Sequence, residues 1–266
     1  MATAPRSITY AEYLDLDRVL GAQHPLSDAH DEMVFIIIHQ ASELWMKLCL
    51  HEIAAARDQI AADDLAPAFK MLSRVARAQT LLIQSWDVLA TMTPADYSAV
   101  RPHLGTSSGF QSWQYRMLEA IMGHRKAGHL KSFEDNPDAQ SALAAEQSRP
   151  SIYDEAVRLL ARRGFAIPPA RLARDPLGAI EPCPEVEAAW TAVYRDPARW
   201  WDLYELAEKL VDLEYHVQRW RFGHLKTVER IIGFKRGTGG TPGVAYLAGV
   251  MNHAFFPELL SVRTTL

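Results

Sequence analysis

The chain has 266 residues, 48% of them apolar, a formal net charge of -4 and a pI near 6.2. That is enough apolar matter for a sizeable core, while the mild acidity leaves no electrostatic footprint for nucleic acid and no basic run for an anionic membrane. The two cysteines, Cys49 and Cys183, form no CxxC pair and CxxCH does not occur, which argues against structural zinc, thioredoxin-like chemistry and covalent haem attachment. Residues 1–7 are short and polar for a signal peptide, and the apolar run from Val34 to Ile38 falls far short of a membrane span. The expectation is a soluble cytoplasmic protein with no membrane partner.

Taken in chain order, the elements are helical. Residues 28–62 are predicted as a helix with Ser27 as N-cap and the acids Asp28, Asp31 and Glu32 in the first turns. The stretch from Met33 to Ile38 is apolar all round, which predicts burial within a bundle. Residues 66–92 form a second helix. Thr93 and Pro94 read as N-cap and first position of a short third, which Pro102 ends. Helix restarts over 107–124 after a turn at Gly105. The stretch 125–150 is polar and mixed, with a turn signal at Asn136-Pro137, and is expected to be partly mobile. Shorter helices cover 152–163 and 184–194, separated by a segment with five prolines at 167–184.

Residues 199–232 give the clearest pattern. Leu203, Leu206, Leu210, Leu213, Val217, Trp220, His224, Thr227 and Ile231 step by three and four, a continuous seam on one helix face. Trp220 and His224 interrupt a simple coiled-coil pattern, so a globular bundle fits better. Five glycines fall within 233–243, and a last helix over 244–253 is predicted to close the chain. Period-two strand patterns and internal repeats are missing. The expected fold class is all-α, a single-domain helical bundle over residues 1–266.

Four features could carry chemistry. His224 holds a seam position otherwise apolar, where low dielectric keeps an imidazole neutral and fit to ligate iron. On spacing alone a hydrogen-bonded core histidine is the better reading, since most histidines bind no metal. His39 follows Phe35 by four residues on a helix whose neighbours Ile36, Ile37 and Ile38 are apolar, an apolar wall with one polar nitrogen; pairing with Glu43 is the alternative. Tyr97 and Arg101, also four apart, would suit a carboxylate clamp through the bidentate guanidinium, although a surface stack explains the spacing as well. The glycine-rich loop follows neither the P-loop spacing nor GxGxxG, since Pro242 stands at the third glycine; it reads as a connector or as backbone approaching a ligand, with Thr238 supplying a hydroxyl. Paired Glu-x-x-His motifs of di-iron bundles and the His-Glu-x-x-His zinc motif do not occur.

Several strings, taken together, resemble the tryptophan 2,3-dioxygenase family: Thr9-Tyr-Ala-Glu-Tyr-Leu14; His30-Asp-Glu-Met33 running into Phe35-Ile-Ile-Ile-His-Gln-Ala-Ser-Glu-Leu-Trp45; Met92-Thr-Pro-Ala-Asp-Tyr97 through Arg101; Ser107-Ser-Gly-Phe-Gln-Ser112 with Gln114-Tyr-Arg116; Arg219-Trp-Arg-Phe-Gly-His224 through Arg230; and Gly237-Thr-Gly-Gly-Thr241. They occur in the family's order and cover residues 8–258.

The resemblance implies a helical homotetramer with one haem b per subunit, acting on L-tryptophan and O2. The implied product is N-formyl-L-kynurenine, made in the first step of the kynurenine route of tryptophan catabolism. By matching position it implies His224 as proximal iron ligand, and Phe35 and His39 in the distal pocket with His39 near the indole nitrogen. Tyr97 and Arg101 would bind the substrate carboxylate, Thr238 its ammonium group together with a haem propionate, and Ser108 and Gly109 would lie close to the haem. Tyr10 and Tyr13 match a segment that reaches a neighbouring subunit's pocket. The indole proton is too weakly acidic for a histidine of ordinary pKa, so hydrogen bonding suits His39 better than general-base catalysis. Two other readings stay open here: an indoleamine 2,3-dioxygenase-like enzyme of broader substrate range, and a haem sensor without catalysis.

Overall fold

A computed structural model describes residues 7–240 and 243–266, so residues 1–6 of the leader, and Thr241 and Pro242 of the glycine-rich loop, lie outside the described residues. Among the described residues there is no strand. In chain order the helices are α1 (Tyr10–Leu14), α2 (Leu16–Leu20), α3 (Glu32–Ala61), α4 (Leu65–Leu89), α5 (Pro94–Val100), α6 (Trp113–Met122), α7 (Pro137–Ser148), α8 (Ile152–Arg162), α9 (Pro169–Leu172), α10 (Pro184–Arg195), α11 (Trp201–Ile232), α12 (Val244–Val250) and α13 (Pro257–Thr265), with 3-10 turns at Arg101–His103, Gly109–Gln111 and Ala127–Phe133. The all-α expectation holds.

Helix α4 lies between α3 and α11 and packs against both. The buried side chains recur at helical spacing: Met46, Cys49, Ile53, Ala56 and Ile60 on α3; Leu72, Val75, Ala78 and Leu82 on α4; Leu203, Leu206, Leu210, Leu213 and Val217 on α11. This core ends at Met46 on α3 and at Val217 on α11. Past those residues the same helix faces continue as Glu43, His39 and Phe35 on one side and Trp220, His224, Val228 and Ile232 on the other, and there they line a cavity. The two seams thus run from solid core into an open site without a change of helix.

Local sequence explains the helix starts around that site. Thr93 caps α5 in a capping box, its hydroxyl accepting from Asp96 N–H while the Asp96 carboxylate accepts from Thr93 N–H at 2.8 Å, with Pro94 at the first position. Ser112 caps α6, and Ser151 with Asp154 forms the same reciprocal box on α8. At α3 the polarity is inverted. Ser27 does not cap it; the Glu32 carboxylate instead accepts from the backbone of Leu26 at 2.8 Å and Ser27 at 2.7 Å, pinning the preceding turn to the helix.

Several expectations need correction. Met33 and Ile37 are 38% and 46% exposed, so the apolar stretch opening α3 is not buried within this chain. That helix is also long and apolar enough, by length and composition, to cross a membrane, despite the short unbroken run. Its charged residues nevertheless reach other helices: Arg57 pairs with Glu146 and Glu52 with Arg74. Asn136-Pro137 is the N-cap and first position of α7 rather than a turn within a mixed polar stretch, since the Asn136 side chain accepts from Ala139 N–H. The chain closes with α13 rather than with α12; the buried Phe255 and Phe256 precede it, their N–H groups donating to Glu214 at 3.1 and 2.9 Å.

Candidate active site

The cavity has a volume of about 440 Å³, within the range of small-molecule and cofactor sites. Helix α3 supplies Phe35 and His39, α5 supplies Tyr97, the segment after Gly105 supplies Ser108 and Gly109, α11 supplies His224, and the glycine-rich loop supplies Thr238. Residues two hundred positions apart in the chain therefore share one wall.

His39 donates through Nδ1 to the Phe35 carbonyl at 2.7 Å, because a carbonyl can only accept. Burial holds its pKa below the usual histidine range, against the pull of that hydrogen bond and of Glu43. The neutral ring then carries its proton on Nδ1 and leaves Nε2 as a bare acceptor. The Phe35 ring lies 4.2 Å from the His39 ring and 6.2 Å from that of Tyr97, centroid to centroid.

His224 is the counterpart on α11. Burial, with a smaller contribution from His39, lowers its pKa to about 4, so it is neutral at pH 7. Trp86 stacks on it at 4.8 Å with an interplanar angle of 4°, and Trp220 tilts against it at 5.6 Å. The imidazole forms no hydrogen bond among the described residues.

Burial raises the Tyr97 hydroxyl above its ordinary pKa, partly offset by Arg101. Arg101 itself does not line the cavity. Its Nη2 donates to the Arg236 carbonyl at 2.7 Å, which ties the glycine-rich loop to the end of α5. Thr238 donates to the Ser107 carbonyl, and Gly239 packs so closely on Ser108 that a Cβ there would lie 2.7 Å from Ser108 Oγ. That loop is docked on the 107–109 segment rather than serving as a free connector. At Gly109 a Cβ would meet nothing within 4 Å, so its absence leaves open space beside the cavity wall.

Other expected residues stand apart. Ile36, Ile37 and Ile38 do not line the cavity: a helix turns about 100° per residue, so only Phe35 and His39 of the five face it. Ile38 packs instead against the small cluster of Leu89, Met92 and Ile231. Tyr10 and Tyr13 lie on α1, 76% and 75% exposed, away from this chain's own cavity. The string Gly105-Thr-Ser-Ser-Gly109 spells a nucleophile elbow, but it follows a 3-10 turn, with no strand to hold an elbow in place.

A buried charged cluster escaped the sequence reading. Glu119 on α6 accepts from Arg116 Nη1 at 2.5 Å and from Arg221 Nη2 at 3.0 Å. Burial alone would raise its carboxyl, but His124, Arg116 and Arg221 outweigh that and hold it far below the usual carboxylate range. Arg221 also donates to Tyr115 Oη at 3.1 Å and to the Val250 carbonyl at 3.1 Å; Tyr115, Arg116, Glu119, Arg221 and Val250 line the cavity. The three-residue spacing of Arg116 and Glu119 was the available signal.

Fold and cavity define an all-helical protein with a pocket lined by two neutral imidazoles and aromatic rings. The family model described as tryptophan 2,3-dioxygenase matches residues 2–152 and 144–266, and the chain belongs to that family. It is 69% identical over 261 residues to the tryptophan 2,3-dioxygenase of Erythrobacter litoralis, covering 98% of this chain and 99% of that protein. It is 55% identical over 261 residues to tryptophan 2,3-dioxygenase 1 of Ralstonia nicotianae (98% and 89% covered), and 54% identical over 260 residues to the enzyme of the same name from Pseudomonas fluorescens (98% and 92% covered).

Proposed function

We infer that this protein is a haem-dependent tryptophan 2,3-dioxygenase, which inserts both atoms of O2 across the indole C2–C3 bond of L-tryptophan to give N-formyl-L-kynurenine. The observation that carries this is the pairing of His39 and His224 across one cavity, in a chain matched along its length by that family. The donor set fits haem b: a neutral imidazole on an apolar face, with no competing partner among the described residues, suits iron, and the missing Cβ of Gly109 gives a flat ring room to approach. When bound, that group supplies the redox chemistry with O2.

The residues of the chain do the rest. His224 holds the iron. His39 accepts a hydrogen bond from the indole N–H through its unprotonated Nε2, the complement of its donation to Phe35. Phe35 stacks the ring in place. Tyr97 and Arg101 bind the carboxylate, Arg101 keeping four of its five N–H donors after the contact to Arg236. With the cofactor bound, Thr238 would meet the ammonium group together with a cofactor carboxylate, and Ser108 and Gly109 would lie next to the cofactor. Arg116 on the cavity wall is a further partner for a cofactor carboxylate. Catalysis is then mainly positioning.

The exposed apolar residues of α1, α2 and the start of α3 support assembly as a homotetramer in which Tyr10 and Tyr13 complete a neighbour's pocket. The free thiols of Cys49 and Cys183 accord with a cytoplasmic site of action. The test is direct. Haem-loaded, reduced protein mixed with L-tryptophan and air should develop the near-UV absorbance of the product at the expense of one O2 per tryptophan. Haem binding without product would leave the sensor reading; equal turnover of D-tryptophan and tryptamine would favour the broader indoleamine enzyme.

A further inference from the structure

A histidine that ligates a metal usually has its second ring nitrogen fixed by a carboxylate or carbonyl, which sets the rotation of the ring. His224 forms no such bond among the described residues. Among the described residues its orientation is held by packing against aromatic rings. The Trp86 indole lies parallel to it, 4.8 Å away and only 4° out of plane, while Trp220 leans on both rings, 5.3 Å from Trp86 and 5.6 Å from His224. Trp86 reaches this position through a gap in α11. A Cβ built on Gly223 would stand 2.6 Å from Trp86 Cδ1, closer than real Cβ contacts come, and 3.2 Å from Cγ, against a rigid aromatic ring. Gly223 lies mid-helix, where glycine costs roughly 1 kcal/mol against alanine, so its presence beside His224 calls for a packing reason.

We propose that Trp86 is the positioning residue of the His224 imidazole, and that position 223 is glycine in order to admit it. The inference rests on the reading of His224 as iron ligand. Stacking restricts rotation about the His224 Cβ–Cγ bond, and with it the angle at which Nε2 or Nδ1 meets a metal. The indole does this without drawing the proton of the imidazole, so ring position is set without the added basicity that a carboxylate partner would give.

The experiment uses ferrous, haem-loaded protein and the iron–histidine stretching band in resonance Raman. His224→Ala tests the underlying reading: the band should vanish, and its persistence would remove the ligand assignment whatever Trp86 does. Trp86→Leu and Gly223→Ala test the inference. Both should shift and broaden the band and speed haem transfer to apomyoglobin by roughly 10-fold, the scale seen when outer partners of metal ligands are lost. Trp86→Phe, which keeps a flat ring, should restore the band most of the way. The KM for tryptophan should stay near the parent value in all three while kcat falls. A parent-like band in either Trp86→Leu or Gly223→Ala would overturn the proposal, as would a Trp86→Phe variant no closer to parent than Trp86→Leu. Should Trp86→Leu fail to fold, Gly223→Ala and Trp86→Phe decide the question.

Discussion

Arg221 on α11 and Glu119 on α6 meet at 3.0 Å with side chains only 2% and 1% exposed, and the same guanidinium reaches the Val250 and His253 carbonyls at 3.1 and 3.3 Å. One side chain therefore joins the bundle, the charged end of the cavity and the C-terminal end of α12. Its removal leaves Glu119 short of a partner and α12 untied. Arg221→Met should destabilise the protein by about 3–5 kcal/mol, read as a lower urea midpoint. Arg221→Lys should recover little, because one ammonium cannot serve a carboxylate, a phenol and two carbonyls in their fixed directions. A parent-like midpoint for Arg221→Met would show the cluster to be energetically idle.

Arg101→Ala should raise the KM for L-tryptophan by roughly 10- to 100-fold, the cost of leaving a carboxylate without its charged partner. The effect should be specific to substrates with that carboxylate. Tryptamine, handled poorly by the parent, should be handled no worse by the variant.

His39→Ala should lower kcat/KM without abolishing turnover. Loss of one hydrogen bond to the indole N–H corresponds to about 1 kcal/mol, far below the 10²- to 10⁴-fold expected for a lost general base. Complete inactivity in a variant that retains haem and binds tryptophan normally would reinstate His39 as a base.

Acidification should destabilise the haem-free protein between about pH 6.5 and 4. His129 and His224 are both lowered to about 4 in the folded chain, chiefly by burial, against an ordinary value of 6.5. In that window the unfolded chain binds more protons than the folded one, so stability is full above 6.5 and falls as pH drops through 4. Urea midpoints taken from pH 7 to pH 4 should decrease steadily, and less so in His129→Gln.

Much of this was legible in the primary structure, and the reason is periodicity. The leucines of α11 mark its inward face, and His224 inherits that direction. Thr93-Pro94 marks the start of α5 because a hydroxyl cap and a missing N–H both belong there. Ile36, Ile37 and Ile38 are as apolar as a pocket wall, but helical rotation sends them elsewhere. Helix α7 was hidden because Asn-Pro serves a helix start as well as a turn. Glu119 between Arg116 and Arg221 could not be foreseen, since the second pair spans 102 positions and nothing local announces such a partner. The stack of Trp86 on His224 was hidden in the same way; Gly223, inside a helix and next to His224, was its local trace.

The cavity wall begins at Phe35 and ends at Val250. During synthesis the histidine of α3 leaves the ribosome long before that of α11, and α12 follows both. In between, the nascent chain holds half of a cavity wall and an apolar helix without its packing partners. A chain cut short just before Val244 would hold both histidines and still lack Tyr246, Leu247 and Val250 of that wall.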